Sequence, residues 1–158
     1  MAYKGPHGTK VNLDKAYTER KFKLFTTIEV NGSTASGEFM FARANGAIDQ
    51  GAICRISLAD GDADEVTTAE SASTPNVLGV AMATLADNEF GWFWRGKGFC
   101  EALVATAISA GDALTTTANA GELGAGGDTV VTLGAIDANA SGSTALSTVK
   151  AYGLLGTN

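Results

Sequence analysis

Three shortages frame this sequence. Histidine occurs once, at His7; cysteine occurs twice, at Cys54 and Cys100; proline occurs twice. A structural zinc site needs about four nitrogen or sulfur ligands, so one chain with this set cannot supply it. General acid–base catalysis needs a group of tuned pKa beside a partner. The lone histidine lies in a polar N-terminal stretch, where it reads as a solvated residue. No Gly-x-Ser-x-Gly elbow and no Walker loop occur, and Gly124–Gly127 lacks the Lys-Ser/Thr that a phosphate loop requires. The expectation is a non-enzymatic protein without a cofactor or metal. Long apolar runs are also missing: none approaches the ~18 residues of a membrane helix. The first apolar stretch is too short and too interrupted by charge for a secretory signal. A soluble chain made in a cytoplasm, with no membrane partner, is expected. Neither cysteine belongs to a Cys-x-x-Cys pair, so both read as buried thiols acting as small hydrophobes; a disulfide between them stays open.

Charge is sparse, at 18% of residues, and unevenly placed. Residues 1–25 hold six bases (Lys4, Lys10, Lys15, Arg20, Lys21, Lys23) against two acids, and the remainder holds five bases against fifteen acids. An acidic body argues against a nucleic-acid groove. Residues 1–21 are polar, basic and weakly periodic. They read as an extended N-terminal arm, with a short helix over Asp14–Lys23 as an option. The body is then residues 22–158. Three partners stay open for the basic head, namely nucleic acid, an acidic protein surface or its own body; His7 and the bases Lys4, Lys10, Lys15, Arg20 and Lys21 are the arm's candidate contact residues.

Glycine is abundant, with 20 residues, which favours tight turns over long helices. Alternation predicts a hairpin of Leu24–Val30 and Glu38–Ala44 closed at Asn31-Gly32. Further strands are read at Ala52–Leu58, Val77–Leu85 (a short helix being the alternative), Phe90–Phe99 continuing or bending into Cys100–Val104, Asp112–Thr117, Thr129–Ala135 and Val149–Leu155. Glycine-rich turns are read at Asn119–Gly121, Gly124–Asp128 and Ser141–Gly142. About eight short strands with regular turn signals predict an all-β fold, a small β-barrel or β-sandwich. Asp62–Asn76 reads as an acidic surface loop. Its first residues, with Asp60, have the alternate aspartates of a calcium loop. EF-hand spacing fails, because Glu65 stands where glycine is required and Ser71 where the bidentate glutamate belongs.

Two segments resemble each other. Ala47-Ile48-Asp49-Gln50-Gly51 lines up with Ala107-Ile108-Ser109-Ala110-Gly111, each leading into a small-then-apolar strand. Leu78-Gly79-Val80-Ala81 likewise resembles Leu133-Gly134-Ala135-Ile136. Glycine can take positive φ without a Cβ clash, so it can reverse the chain just before a strand. Two such half-motifs predict a pseudo-symmetric β-structure. Between them, Phe90, Trp92 and Trp94 form an aromatic stripe on one strand face, with Gly91, Phe93 and Arg95 on the other. The stripe has three open readings: core, subunit interface, or a platform for stacking sugars.

The order of these motifs resembles that of the capsid decoration (cement) proteins of tailed bacteriophages. It runs Glu38-Phe39-Met40-Phe41-Ala42-Arg43-Ala44, then Ala47-Ile48-x-x-Gly51, Leu78-Gly79-Val80-Ala81, Phe90-Gly91-Trp92-Phe93-Trp94-Arg95-Gly96, Ala107-Ile108-Ser109-Ala110-Gly111-Asp112-Ala113-Leu114, and Ala120-Gly121. The match covers roughly residues 24–136. One departure is Ala52, where an aspartate after the glycine is usual. The resemblance implies a virion structural protein on the capsid exterior, made in the host cytoplasm. It would bridge neighbouring major capsid protein subunits, often as a homotrimer. The alternative reading is a carbohydrate- or host-binding module displayed on the particle, in the manner of a head fibre.

Overall fold

The computed structural model describes residues 2–4, 10–67, 77–126, 133–137, 139 and 143–155. Among them there is no helix; the fold is all-β, as the alternation predicts. Twelve strands run in chain order: β1 (Ala2–Lys4), β2 (Lys10–Asn12), β3 (Thr27–Asn31), β4 (Ser36–Ala44), β5 (Ile53–Ile56), β6 (Asp62–Glu65), β7 (Val77–Ala81), β8 (Phe90–Val104), β9 (Ala113–Thr116), β10 (Leu123–Ala125), β11 (Leu133–Ala135) and β12 (Ala145–Leu154). Strands β1 and β2 form their own antiparallel pair, and the other ten form one sheet.

That sheet curls through two circuits of pairing. In the first, β4 pairs with β8, β8 with β7, β7 with β5 and β5 with β6, all antiparallel; β6 returns to β4 by a short parallel ladder, Arg43 opposite Asp62 and Ala44 opposite Ala63. In the second, β8 pairs with β12, β12 with β11, β11 with β9 and β9 with β10; β10 returns to β8 in parallel, Leu123 opposite Val104. The two barrel-like rings share β8. This explains why β8 is apolar at nearly every position: it faces a core on both sides. Phe93 joins the core inside the first ring, while Trp92, Trp94, Cys100, Ala102 and Val104 join the larger core.

The first ring's interior is filled by Met40, Ala42, Ala44, Ala52, Cys54, Ile56, Ala63, Ala81 and Phe93. A ring of five strands encloses little space, so alanine is the residue that fits most of these positions. On the opposite face of the same strands lie Phe39, Phe41, Ile53, Leu78, Val80, Trp92 and Trp94, continuous with the core of the second ring. The two cysteines belong to these two different cores, and both are free thiols.

The weak internal repeat is a structural duplication. Ile48 bridges to Leu85, and Ile108, 60 positions later, bridges to Asn139. Gly51 N–H donates to Ala81 O at 2.8 Å, and Gly111 N–H donates to Ala135 O at 2.9 Å. Asn45 N–H donates to Ala63 O and Ala105 N–H to Leu123 O, here with both members shifted by 60 positions. The first ring thus takes β4 to β7 from the first unit and borrows β8, the opening strand of the second, while the second ring is β8 to β11 closed by β12.

Several local expectations change. The hairpin of β3 and β4 forms, but Asn31 ends β3 opposite Ser36. The link is residues 32–35, tied by Gly32 N–H to Ala35 O at 3.1 Å, and not a two-residue Asn-Gly turn. Asp62–Glu65, read as the start of a loop, is strand β6, because Arg43 and Arg55 on adjoining strands neutralise its aspartates while Ala63 is buried. Residues 68–76 and 129–132 lie outside the described residues. Gly124 and Ala125, read as turn, belong to β10. The helical options at 14–23 and 77–85 are not taken.

Residues 10–21 lie along the body, so the division at residue 21 does not separate arm from core. Val11 and Leu13 are 0% and 3% exposed within the large core. Tyr17 exchanges backbone hydrogen bonds with Phe90, at 2.9 and 2.8 Å. Sequence pattern misses this anchoring because two apolar positions, Val11 and Leu13, are too short an alternation to mark a buried strand, and β2 pairs with β1 and not with the ten-stranded sheet.

Candidate functional site

The segment from Lys10 to Lys23 has two unlike sides. Toward the body, Val11, Leu13, Tyr17 and Phe22 close over the aromatic layer of β4 and β8. Phe22 meets Trp92 edge-on at a centroid distance of 5.1 Å and Phe41 at 5.2 Å, and Tyr17 meets Phe41 at 6.0 Å. Phe90 stacks on Phe41 at 6.0 Å. Such offset and edge contacts favour the ring quadrupoles and add to plain burial. Toward solvent, Lys10, Lys15, Arg20, Lys21 and Lys23 are all exposed. Lys15 Nζ lies 5.5 Å from the centre of the Tyr17 ring, a cation–π distance. Lys21 Nζ donates to Glu19 Oε2 at 3.0 Å and thereby holds that carboxyl below its ordinary range. A cationic strip is therefore laid on a packed aromatic base rather than on a free tail. Of the other arm candidates, Lys4 is on β1 and His7 lies outside the described residues.

The aromatic stripe takes the core reading. Trp92 and Trp94 are 0% exposed, and Phe90 is half-buried against the same cluster. Trp94 Nε1 donates to Ser36 O at 2.7 Å, while Trp92 Nε1 is buried with no hydrogen-bond partner among the described residues. Neither indole has a face to offer a sugar, so the sugar-stacking platform is corrected: the residues covering it, Tyr17 and Phe22, come from the N-terminal segment.

The acidic stretch 60–65 is organised around arginines. Arg43 makes a two-pronged contact with Asp62, Nε to Oδ1 at 2.7 Å and Nη2 to Oδ2 at 2.8 Å. Asp64 takes Asn45 Nδ2 at 2.9 Å and faces Arg55 at 3.8 Å. Glu65 Oε1 accepts from the Asp49 N–H at 2.9 Å. Carboxylates committed in this way do not converge on one point. Among the described residues no group of three or more His, Cys, Asp or Glu side chains is placed to hold a metal ion.

Burial pushes both the Cys54 and the Cys100 thiols well above the ordinary cysteine range, with nearby carboxylates adding to the effect. The thiolate is the reactive form. Expected outcome: neither thiol reacts with an aromatic disulfide reagent in the native protein, and both react on addition of denaturant. Fast labelling of the folded chain would contradict the two-core assignment.

One feature escapes any reading of local pattern. At β8, Gly96 and Lys97 both have positive φ, and the register with β4 shifts at Glu38. This bulge lifts Lys97 between two shallow grooves. One, of about 320 Å³, is lined by Glu29, Val30, Asn31, Ser36 and Gly37; the other, of about 370 Å³, by Gly98, Phe99, Ile136, Lys150 and Ala151. Beneath the bulge, Glu38 pairs with Lys97 at 3.3 Å and faces Arg95 at 3.8 Å. Burial lowers the pKa of Arg95, and its Nε has no hydrogen-bond partner among the described residues.

No protein-family model matches the chain, and comparison with curated proteins and with solved structures found no match.

Proposed function

We propose that this chain is a virion structural protein that binds the outer surface of an assembled tailed-phage capsid and stabilises it by bridging major capsid protein subunits. In this reading it acts as a homotrimer, without catalysis, cofactor or nucleic-acid contact. The observation that carries it is the cationic strip: Lys10, Lys15, Arg20 and Lys21 stand exposed on a segment anchored by buried Val11 and Leu13. Charges on a rigid base lose less conformational entropy on docking than charges on a loose tail. A single exposed ion pair contributes on the order of 0–1 kcal/mol. Firm attachment then requires several contacts per copy and several copies per assembly, so that avidity multiplies weak contacts. The mechanism is surface burial and charge complementarity to an acidic shell.

The test is charge reversal, not truncation. Changing Lys10, Lys15, Arg20 and Lys21 together to Glu leaves the buried side of the segment intact. Expected outcome: the melting temperature stays near that of the parent, while co-sedimentation with assembled capsids falls at least about tenfold at low salt. Undiminished capsid binding by this variant removes the strip from the mechanism, and no binding by the parent chain removes the function.

A further inference from the structure

Residues 26–158 hold five bases against fifteen acids. Three of those bases are arginines, facing Asp62, Asp64 and Glu38. Lys97, which also pairs with Glu38 at 3.3 Å, and Lys150 line one groove, together with half-buried Phe99 and with Ile136, which is 42% exposed. A groove that is apolar in its floor and cationic at its rim calls for an occupant with an apolar side chain next to a carboxylate.

The chain itself displays such an element. Leu58, at 58% exposure, is the most exposed large hydrophobic residue described, and Asp60 follows it two positions later. Their turn is preorganised: Ser57 N–H donates to Asp62 O at 2.8 Å, Gly61 N–H to Ser57 O at 2.9 Å, and Asp62 N–H to Asp60 Oδ1 at 3.2 Å. A hydrogen bond from Ser57, then one from Asp62, hold the Asp60 carboxyl below its ordinary range. The duplication sharpens the case. The equivalent turn 60 positions on has Ala118 and Ala120 in place of Leu58 and Asp60. The projecting leucine and carboxylate are thus particular to the first unit, and not a requirement of the turn.

Turn and groove cannot meet within one copy. Gly61 O accepts from Arg43 N–H, while Gly37, six residues back along β4, lines the groove on the other side of Lys97. Six residues of strand span roughly 20 Å. We propose that the groove receives the Leu58–Asp60 turn of a second copy of this chain, Leu58 packing on Phe99 and Ile136 and Asp60 pairing with Lys150 and Lys97. Such a contact is head-to-tail, and it closes a ring if the rotation between copies allows. It rests on the self-association within the proposed function and not on shell binding, and it is measured without a shell.

The test uses sedimentation velocity on the full chain from micromolar to near-millimolar concentration. The parent is expected to self-associate. Leu58→Asp and Lys150→Glu are each expected to weaken association at least about tenfold with unchanged melting, since Leu58 is exposed. An equimolar mixture of the two variants decides the geometry. One retains an intact groove and the other an intact turn, so a head-to-tail contact re-forms once per pair and the mixture sediments as a heterodimer. A parent that stays monomeric throughout overturns the proposal. So do variants that associate like the parent, and so does a mixture that stays monomeric. Capsid co-sedimentation of the monomeric variants then reports shell binding separately.

Discussion

Removal of residues 1–21 is expected to cost the body about 4–6 kcal/mol, because it strips Val11 and Leu13 from the large core and Tyr17 from the aromatic layer. Each fully buried aliphatic side chain stabilises by about 1.5–3 kcal/mol, and the truncation also takes the Tyr17 ring off Phe41 and leaves Phe22, the ring over Trp92, without its Tyr17 contact. For a chain of this length each kcal/mol corresponds to about 2–4 °C, so a melting temperature roughly 10–20 °C lower is expected. Tryptophan emission should shift to the red as Trp92 hydrates, and a dye that binds exposed apolar surface should bind the truncated chain. The Lys-and-Arg-to-Glu variant is the control, since it alters only the solvent side of the same segment. A truncated chain that melts within a few degrees of the parent would mean that residues 10–21 are not part of the core. Loss of capsid binding by the truncated chain alone says little about charge, because the surface beneath is lost with it.

A second large effect is expected from one added methyl group. At Gly37, φ is +120°, and a Cβ there would lie well inside contact distance of the Gly96 carbonyl oxygen and 2.8 Å from Trp94 Nε1. Neither neighbour is free to move: Gly96 belongs to the bulge of β8, and Trp94 is buried and donates to Ser36 O. Gly37→Ala therefore forces apart β4 and β8, the pair that joins the first ring to the strand both rings share. A loss of about 3 kcal/mol or more is expected, at the upper end of single substitutions. Gly46→Ala is the matched comparison. Its φ is +118°, nearly the same, but nothing lies within 4 Å of its Cβ. That variant bears the backbone strain alone, about 1–2 kcal/mol. Equal losses by urea denaturation at the two positions would show that close approach of β4 and β8 is not what glycine provides at Gly37.

The parts of the fold that could be read from the sequence are those set by near neighbours along the chain. Period-two alternation marks β4 and β8, and the faces assigned to Trp92 and Phe93 hold, because alternation is a property of the strand itself. The Ala-Ile-x-x-Gly turns were legible for the same reason: Gly51 and Gly111 both take positive φ within three residues of Ile48 and Ile108. Strand β6 was misread because its sequence, Asp-Ala-Asp-Glu, has poor strand propensity. Its two aspartates are tolerated only where Arg43 and Arg55 arrive from other strands. The N-terminal segment is hard to read because the alternation of Val11 and Leu13 spans only two apolar positions, and their burial depends on an aromatic face more than 25 residues away.

By itself the sequence determined an all-β chain of two similar units, with one histidine and two cysteines, and with its positive charge gathered at one end. These follow from composition, from alternation and from residue spacing, which need no partner to be defined. Only the tertiary structure decided that the pairings close into two rings about a shared β8, that the tryptophans lie beneath the basic segment, and that Lys97 and Lys150 flank one groove. Each of those outcomes depends on which distant strands pair and in what register, and register is settled by burial across the whole sheet rather than by any local stretch of residues.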